Sequence, residues 1–202
     1  MPRSAKPATK AKAPAPLLAW HGDATLKKAT VAEMAAHRKA DNLRKGFYWE
    51  GGKGCAVGCL IHSGDHSKYE PRFGIPQALA RLEDTIFENL PNGDAMEWPE
   101  RFLRAAKPGA DLSLVQWQFL EFVVDEALSR KGAASVRDAC QPALEVVRAR
   151  ARGEEVSESA AASAESAAWS VAASAESAAW KRYADKLIEL MAAAPVVERE
   201  AA

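Results

Sequence analysis

The chain has 202 residues, of which 48% are hydrophobic, so it can bury a core and is not wholly disordered. Its 27 Lys and Arg balance its 27 Asp and Glu, which argues against a dedicated nucleic-acid binder, a class that is usually strongly basic. No apolar run reaches the roughly 18 residues of a membrane-spanning helix, and three cysteines without a secretory leader favour a reducing, cytoplasmic setting.

The composition divides the chain into three parts. Residues 1–16 are rich in Pro, Ala and Lys and contain no acid, which predicts a mobile basic tail. Residues 17–152 are predicted to form a helical core domain, because their apolar residues recur at helical spacing. Residues 153–202 are predicted to form a long helix that packs on this domain or joins two copies of the chain.

Helix signals follow one another along the core domain. Thr30 and Glu33 have the spacing of a capping box, which predicts a helix from Thr30 to about Lys45. A second helix is predicted by an apolar stripe with steps of three and four residues: Leu79, Leu82, Ile86 and Leu90. Its acids are placed on a solvated face: Glu83, Asp84 and Glu88.

The second half of the chain carries further helix signals. We expect a turn at residues 91–93, a helix that begins at Trp98, another capped by Asp111, and a further one over 136–152. No segment combines β-branched residues with period-two alternation. The predicted fold class is therefore all-α, a helical bundle.

The octapeptide ASAESAAW occurs twice, at residues 162–169 and 173–180. The period of 11 residues is three helical turns, so the repeated side chains return to almost the same face. Small Ala and Ser side chains allow another helix to approach closely, and we expect one helix of about 60 Å over residues 154–194. The sequence leaves open whether this helix packs on its own domain or forms a homo-oligomer.

Residues 46–70 interrupt the helices with aromatic residues, glycines, cysteines and histidines. Four side chains at positions i, i+4, i+7 and i+11 form a donor set that suits zinc: Cys55, Cys59, His62 and His66. The outer two would lie about 16 Å apart along a continuous helix, so such a zinc site requires the chain to fold back near Gly64.

The same segment has features of an anion site. A glycine-rich stretch leads to a predicted helix start at Cys55, where free amides and the helix dipole could meet a phosphate. The predicted anion contacts are Lys53 and the amides of Gly52, Gly54 and Cys55. Stacking is assigned to Tyr48 and Trp49, and polar contacts to His62, His66 and Tyr69.

Two other interpretations of this segment stay open. A thiol nucleophile, Cys55 or Cys59, would use His62 as its base, with Asp65 to orient the imidazole. Alternatively, both cysteines are small buried apolar residues, and the histidines flank a loop.

Three motifs together resemble a group of uncharacterised bacterial and phage proteins. They are the run C-A-V-G-C-x-x-H-S-x-x-H at residues 55–66, the sequence Gly74-Ile75-Pro76 followed by L-E-D-x-I-F-E at residues 82–88, and the repeat that ends in the segment 181–185. The resemblance implies no assigned activity. It implies a phage or accessory-gene context, in which small proteins often bind a host factor or a signalling nucleotide.

From these observations we expect a non-catalytic intracellular binding protein. Its predicted ligand is a phosphorylated small molecule or nucleotide, or else a host protein, bound at residues 47–70. The first alternative is a zinc-stabilised helical interaction module. The second is a self-assembling structural or inhibitor protein built on the C-terminal repeat. Neither nucleic acid nor a membrane is an expected partner.

Overall fold

The computed structural model describes residues 17–129, 134–173, 175 and 177–197, except the side chains of residues 134–140 and 177. The predicted basic tail at residues 1–16 lies outside these residues. Within the described residues helices dominate, and the sheet is a hairpin of two short strands, so the predicted all-α class is confirmed. None of the described helices is long and apolar enough to cross a lipid bilayer.

The elements occur in the following order. The first half contains α1 (Ala24–Lys39), the strands β1 (Trp49–Glu50) and β2 (Lys53–Gly54), α2 (Ala56–Ile61), α3 (Tyr69–Phe73), α4 (Gln77–Asn89) and α5 (Asn92–Ala105). The second half contains α6 (Val115–Leu128), α7 (Ala134–Ala151), α8 (Glu158–Ala173) and α9 (Ser177–Ala193).

Two groups of helices share one continuous hydrophobic core. In the first half, α5 packs against α1 and α4, and the short α2 contacts both α1 and α4. In the second half, α6 packs against α7, α8 and α9. Helix α9 also contacts α4 and α5 and so joins the two groups. The segment of residues 46–70 therefore lies beside α1 and α4.

Helix α1 begins earlier and ends earlier than the sequence predicts. The Asp23 carboxylate caps it by accepting hydrogen bonds from the amides of Thr25 and Leu26. The capping box predicted at Thr30 is wrong, because Thr30 lies inside the helix and its hydroxyl donates to the carbonyl of Leu26. The helix ends at Lys39, which leaves residues 40–45 as a connection to the hairpin.

Helix α4 carries the predicted apolar stripe, since Leu79, Leu82 and Ile86 are all fully buried. The solvated face predicted for its acids is wrong for Glu83, whose exposed fraction is 0%. The turn predicted at residues 91–93 is also wrong, because α5 already begins at Asn92. Pro91 can stand directly before this helix, because a proline has no backbone N–H and none is needed at that position.

The C-terminal segment is helical, but the single helix predicted over residues 154–194 is divided between α8 and α9. Four alanines of α8 face inward and are buried: Ala161, Ala164, Ala168 and Ala172. Its serines at positions 159, 163, 166 and 170 are exposed. The repeat thus packs on its own domain, at least along α8. The second copy of the octapeptide lies partly outside the described residues.

We expect Ala168→Leu to destabilise the protein by about 1–3 kcal/mol, because the added carbons enter a closely packed contact of α8 with α6 and α7. The matched control is Ser163→Leu on the exposed face of the same helix, with an expected change within about 0.5 kcal/mol. Urea unfolding followed by circular dichroism measures both values. Equal stabilities would contradict the inward orientation of the alanine face.

Candidate functional site

A short hairpin organises the glycine-rich segment. Strands β1 and β2 are antiparallel, with Trp49 opposite Gly54 and Glu50 opposite Lys53. The two residues between them, Gly51 and Gly52, have φ angles of +57° and +82°. A two-residue turn with positive φ at both positions favours glycine and matches the twist of a hairpin. The sequence therefore uses its glycine pair for a turn.

The hairpin lies directly on α2. A Cβ atom at Gly58 would lie 1.6 Å from the carbonyl oxygen of Tyr48, so a residue with a side chain does not fit there. The amide of Cys55 donates to the carbonyls of Phe47 and Tyr48. Tyr48, directly before β1, and Trp49, its first residue, face different neighbours. Trp49 contacts His62, and Tyr48 contacts His66.

On the Trp49 side, three potential metal ligands come together. Glu33 and His37 are four residues apart on α1 and so share one helix face. His62 follows α2 in the left-handed conformation, with φ of 51° and ψ of 38°. One ligand atom of each of these residues lies within 4.8 Å of the others, and within the described chain no other cluster of three such residues is this tight.

Neighbouring side chains hold these imidazoles in place. The ring of Trp49 stacks on His62 with a centroid distance of 4.3 Å and an angle of 17°, which orients a side chain that is otherwise exposed. Trp49 also meets His37 edge to face at 5.9 Å. The side-chain amide of Asn42 lies 3.4 Å from Nδ1 of His37. A polar partner on one ring nitrogen fixes the orientation in which the other can bind a metal.

The charge of Glu33 is balanced by a nearby cation. The guanidinium of Arg72 lies 3.4 Å from Oε2 of Glu33, and both side chains are partly exposed, so the pair adds little stability. Arg72 is itself anchored, because it donates to the carbonyl of Leu60 and lies 5.0 Å from the ring centroid of Phe73. The cluster is thus a partly exposed carboxylate and two imidazoles beside one fixed guanidinium.

The four zinc ligands predicted from the sequence do not form one site. Cys55 and Cys59 are buried, with exposed fractions of 1% and 0%. The sulfur of Cys55 accepts from the amide of Gly58 as the cap of α2, and the thiol of Cys59 donates to the carbonyl of Gly54. His62 and His66 lie on opposite sides of the hairpin. Of the four, only His62 belongs to the cluster with Glu33 and His37.

The predicted anion cradle is also not formed as expected. The amide of Gly54 donates to the carbonyl of Asn42 at 3.0 Å, and the amide of Cys55 is used by the hairpin. Lys53 is half-buried opposite Glu50, and Gly52 belongs to the turn. Tyr69 is fully buried and donates to Oε2 of Glu83 at 2.7 Å, so it does not face a ligand.

The thiol-nucleophile hypothesis is not supported by the surroundings of the cysteines. Burial, and then the negative charge of Asp84, raises the pKa of the Cys55 thiol well above its usual range. Burial raises the pKa of Cys59 to about 11. The thiolate is the reactive form, so both groups are unreactive near neutral pH. Asp65 does not orient His62, since it caps the short helical turn at His66–Lys68.

Sequence reasoning missed Glu33, His37 and Asp84. The pair Glu33 and His37 has the i, i+4 spacing of two ligands on one helix, which is a signal in the sequence, but their third partner is 25 residues further on. The helical pattern predicts a solvated face for Asp84, but the residue lies beside Cys55 and His66 with only 14% of its side chain exposed.

No family model, curated protein or solved structure matches this chain. The resemblance to bacterial and phage proteins therefore stays a prediction, and the proposals below depend on the geometry of the site alone.

Proposed function

We propose that this protein binds a divalent transition metal, zinc by the chemistry of the donors, through Glu33, His37 and His62. The observation that carries the proposal is the convergence of these three ligand atoms within 4.8 Å of one another. Zinc bonds of 2.0–2.2 Å at tetrahedral angles separate neighbouring ligand atoms by about 3.4 Å. The ligand atoms would therefore have to move closer by about 1 Å, which small side-chain rotations provide. Glu33 and His37 share one rigid helix, so their backbones need not move for this.

The donor set supports zinc. Two imidazoles and one carboxylate form a known zinc ligand set, in which a water or another ligand occupies the fourth position. In this protein the fourth position would face solvent, since His62 is exposed. A metal there supplies a positive centre that attracts an oxygen atom of an incoming ligand. The same donors also suit iron(II), which the metal comparison below distinguishes.

The proposed ligand of the bound metal is a small oxyanion, such as a phosphate ester. The guanidinium of Arg72 lies next to Glu33 and is held by Leu60 and Phe73. A planar guanidinium beside an open metal position can bind two oxygens of a phosphate or carboxylate group. The phosphorylated small molecule expected from the sequence is thus reassigned from the hairpin amides to this cluster. A cytoplasmic setting is proposed with it, and the free thiols of Cys55 and Cys59 support that setting.

Isothermal titration of the metal-free protein with zinc tests this function. We expect one zinc per chain, and at least about tenfold weaker binding in each of the variants Glu33→Gln, His37→Ala and His62→Ala. Titration with iron(II) without oxygen identifies the preferred metal, and inorganic phosphate added to the zinc-loaded protein tests the open position.

Two control variants keep the result specific. His21→Asn changes an exposed histidine outside the cluster and tolerates the positive φ of 51° at that position, so zinc affinity should not change. The double variant Cys55→Ala and Cys59→Ala should also retain zinc. The proposed ligands would be contradicted if the double cysteine variant lost zinc while the histidine variants kept it. They would also be contradicted if His37→Ala and His62→Ala bound zinc as tightly as the unmodified protein.

A further inference from the structure

A second candidate site lies on the other side of the hairpin. A cleft of about 570 Å³ separates α4 from α8. Two aromatic rings, those of Tyr48 and Trp169, contribute to its lining, together with the carboxylates of Asp84 and Glu165. Arg81 is the cation of the lining and is exposed. None of the proposed metal ligands takes part in this cleft.

The carboxylate of Asp84 lines this cleft and carries an oxygen that receives no N–H or O–H donor. Its Oδ1 atom is buried, and no nitrogen or oxygen of the described residues donates a hydrogen bond to it. Nε2 of His66 lies 3.4 Å from the other oxygen, Oδ2, but is likewise buried without a hydrogen bond. The thiol of Cys55 also hydrogen-bonds the Asp84 carboxylate, and with no N–H or O–H donor on Oδ1 the carboxylate keeps spare capacity to accept one from a ligand.

The surroundings of Asp84 are negatively charged. The Asp84 carboxylate raises the pKa of the Tyr48 hydroxyl, and burial together with Asp84 raises the pKa of Glu88. In the lining of the cleft, the two carboxylates of Asp84 and Glu165 outnumber the single guanidinium of Arg81. Aromatic faces next to carboxylates favour a cation, because the ring faces are also negative.

We propose that the cleft between α4 and α8 binds a small organic cation with N–H donors, a guanidinium or primary ammonium compound. Its N–H groups would donate to Oδ1 of Asp84, and its charge would lie between the rings of Tyr48 and Trp169. The carboxylate of Glu165 provides a second counter-charge. This site is independent of the proposed metal centre, since the hairpin separates the two.

Isothermal titration with agmatine, which carries both a guanidinium and a primary ammonium group, tests the proposal. We expect saturable one-to-one binding, and at least tenfold weaker binding of hexamethonium, which has two positive charges like agmatine but no N–H donor. Asp84→Asn should weaken agmatine binding at least tenfold, and Glu165→Gln should weaken it by a smaller factor. The control Glu97→Gln, at an exposed position of α5, should bind like the unmodified protein.

The outcomes separate this proposal from the metal site. His62→Ala should lose zinc and keep agmatine binding, whereas Asp84→Asn should do the reverse. If Asp84→Asn does not fold, as judged by circular dichroism, Trp169→Leu and Glu165→Gln decide the question in its place. No heat with agmatine, equal binding of hexamethonium, or unchanged binding in the folded variants would overturn the proposal.

Discussion

Replacing Gly58 by alanine should destabilise the protein by about 3 kcal/mol or more, the upper end of the usual cost of overpacking. The new Cβ would lie 1.6 Å from the carbonyl oxygen of Tyr48 and 2.5 Å from its carbonyl carbon. These are backbone atoms, so a side-chain rotation cannot relieve the overlap. Either α2 or the hairpin must move, and the hydrogen bonds from the Cys55 amide to the hairpin carbonyls are lost with that movement.

The same substitution at Gly93 is the matched control. Gly93 lies in α5 with no atom within 4 Å of an added Cβ, so alanine should be neutral or stabilise the protein by up to about 1 kcal/mol. Thermal and urea unfolding should therefore show a large loss of stability for Gly58→Ala and none for Gly93→Ala. Gly58→Ala should also weaken zinc binding, because Trp49 moves with the hairpin and no longer stacks on His62. Comparable stabilities of both alanine variants would refute the close contact of α2 and the hairpin.

Much of the helical framework could be predicted from the sequence, since it follows from local patterns. The stripe of α4 has regular helical spacing, and its apolar residues are buried as expected. The predicted start of α1 is wrong because the sequence offers two capping residues there. Asp23 caps the helix, and Thr30 does not. The hairpin was missed because strands of two residues are too short to show alternation. Its signal was the Gly51-Gly52 pair.

The candidate sites were harder to predict, because tertiary packing assembles them. Spacing along a helix suggested that His62 and His66 act together, but the hairpin places them on opposite sides. His62 instead meets Glu33 and His37, which α1 supplies. The sequence directs attention to residues 46–70, but the residues that meet this segment in the proposed sites come from α1, α4 and α8. No local pattern specifies which helix packs against a loop.

The buried acid Glu83 should make stability fall as the pH rises above about 4.5. Its side chain is fully buried between α3 and α4, where it accepts a hydrogen bond from Tyr69 and lies near the charge of Asp84. Burial, more than any other cause, raises the pKa of Glu83 well above its ordinary value of 4.5. The folded protein therefore keeps a proton on Glu83 that the unfolded chain releases.

The sign of the effect follows from proton binding in the two states. Below pH 4.5 both states are protonated, and the contribution of Glu83 to stability is fully present. Above it, the unfolded chain binds fewer protons than the folded protein, so the free energy of unfolding decreases by up to about 1.4 kcal/mol per pH unit. The decrease continues until the pH reaches the raised pKa of the folded state. Surface acids with lowered pKa values, such as Asp41 and Asp65, act in the opposite direction at lower pH.

Urea unfolding of Glu83→Gln between about pH 5 and pH 8 isolates this contribution. Glutamine keeps an oxygen that accepts from Tyr69 but has no proton to lose, and the backbone carbonyl at this position still accepts from the indole of Trp98. The stability of the original protein relative to this variant should therefore decrease steadily with pH. Glu97→Gln, at an exposed position, should follow the pH dependence of the original protein. Parallel pH profiles for Glu83→Gln and the original protein would mean that the buried carboxyl is already ionised in the folded state.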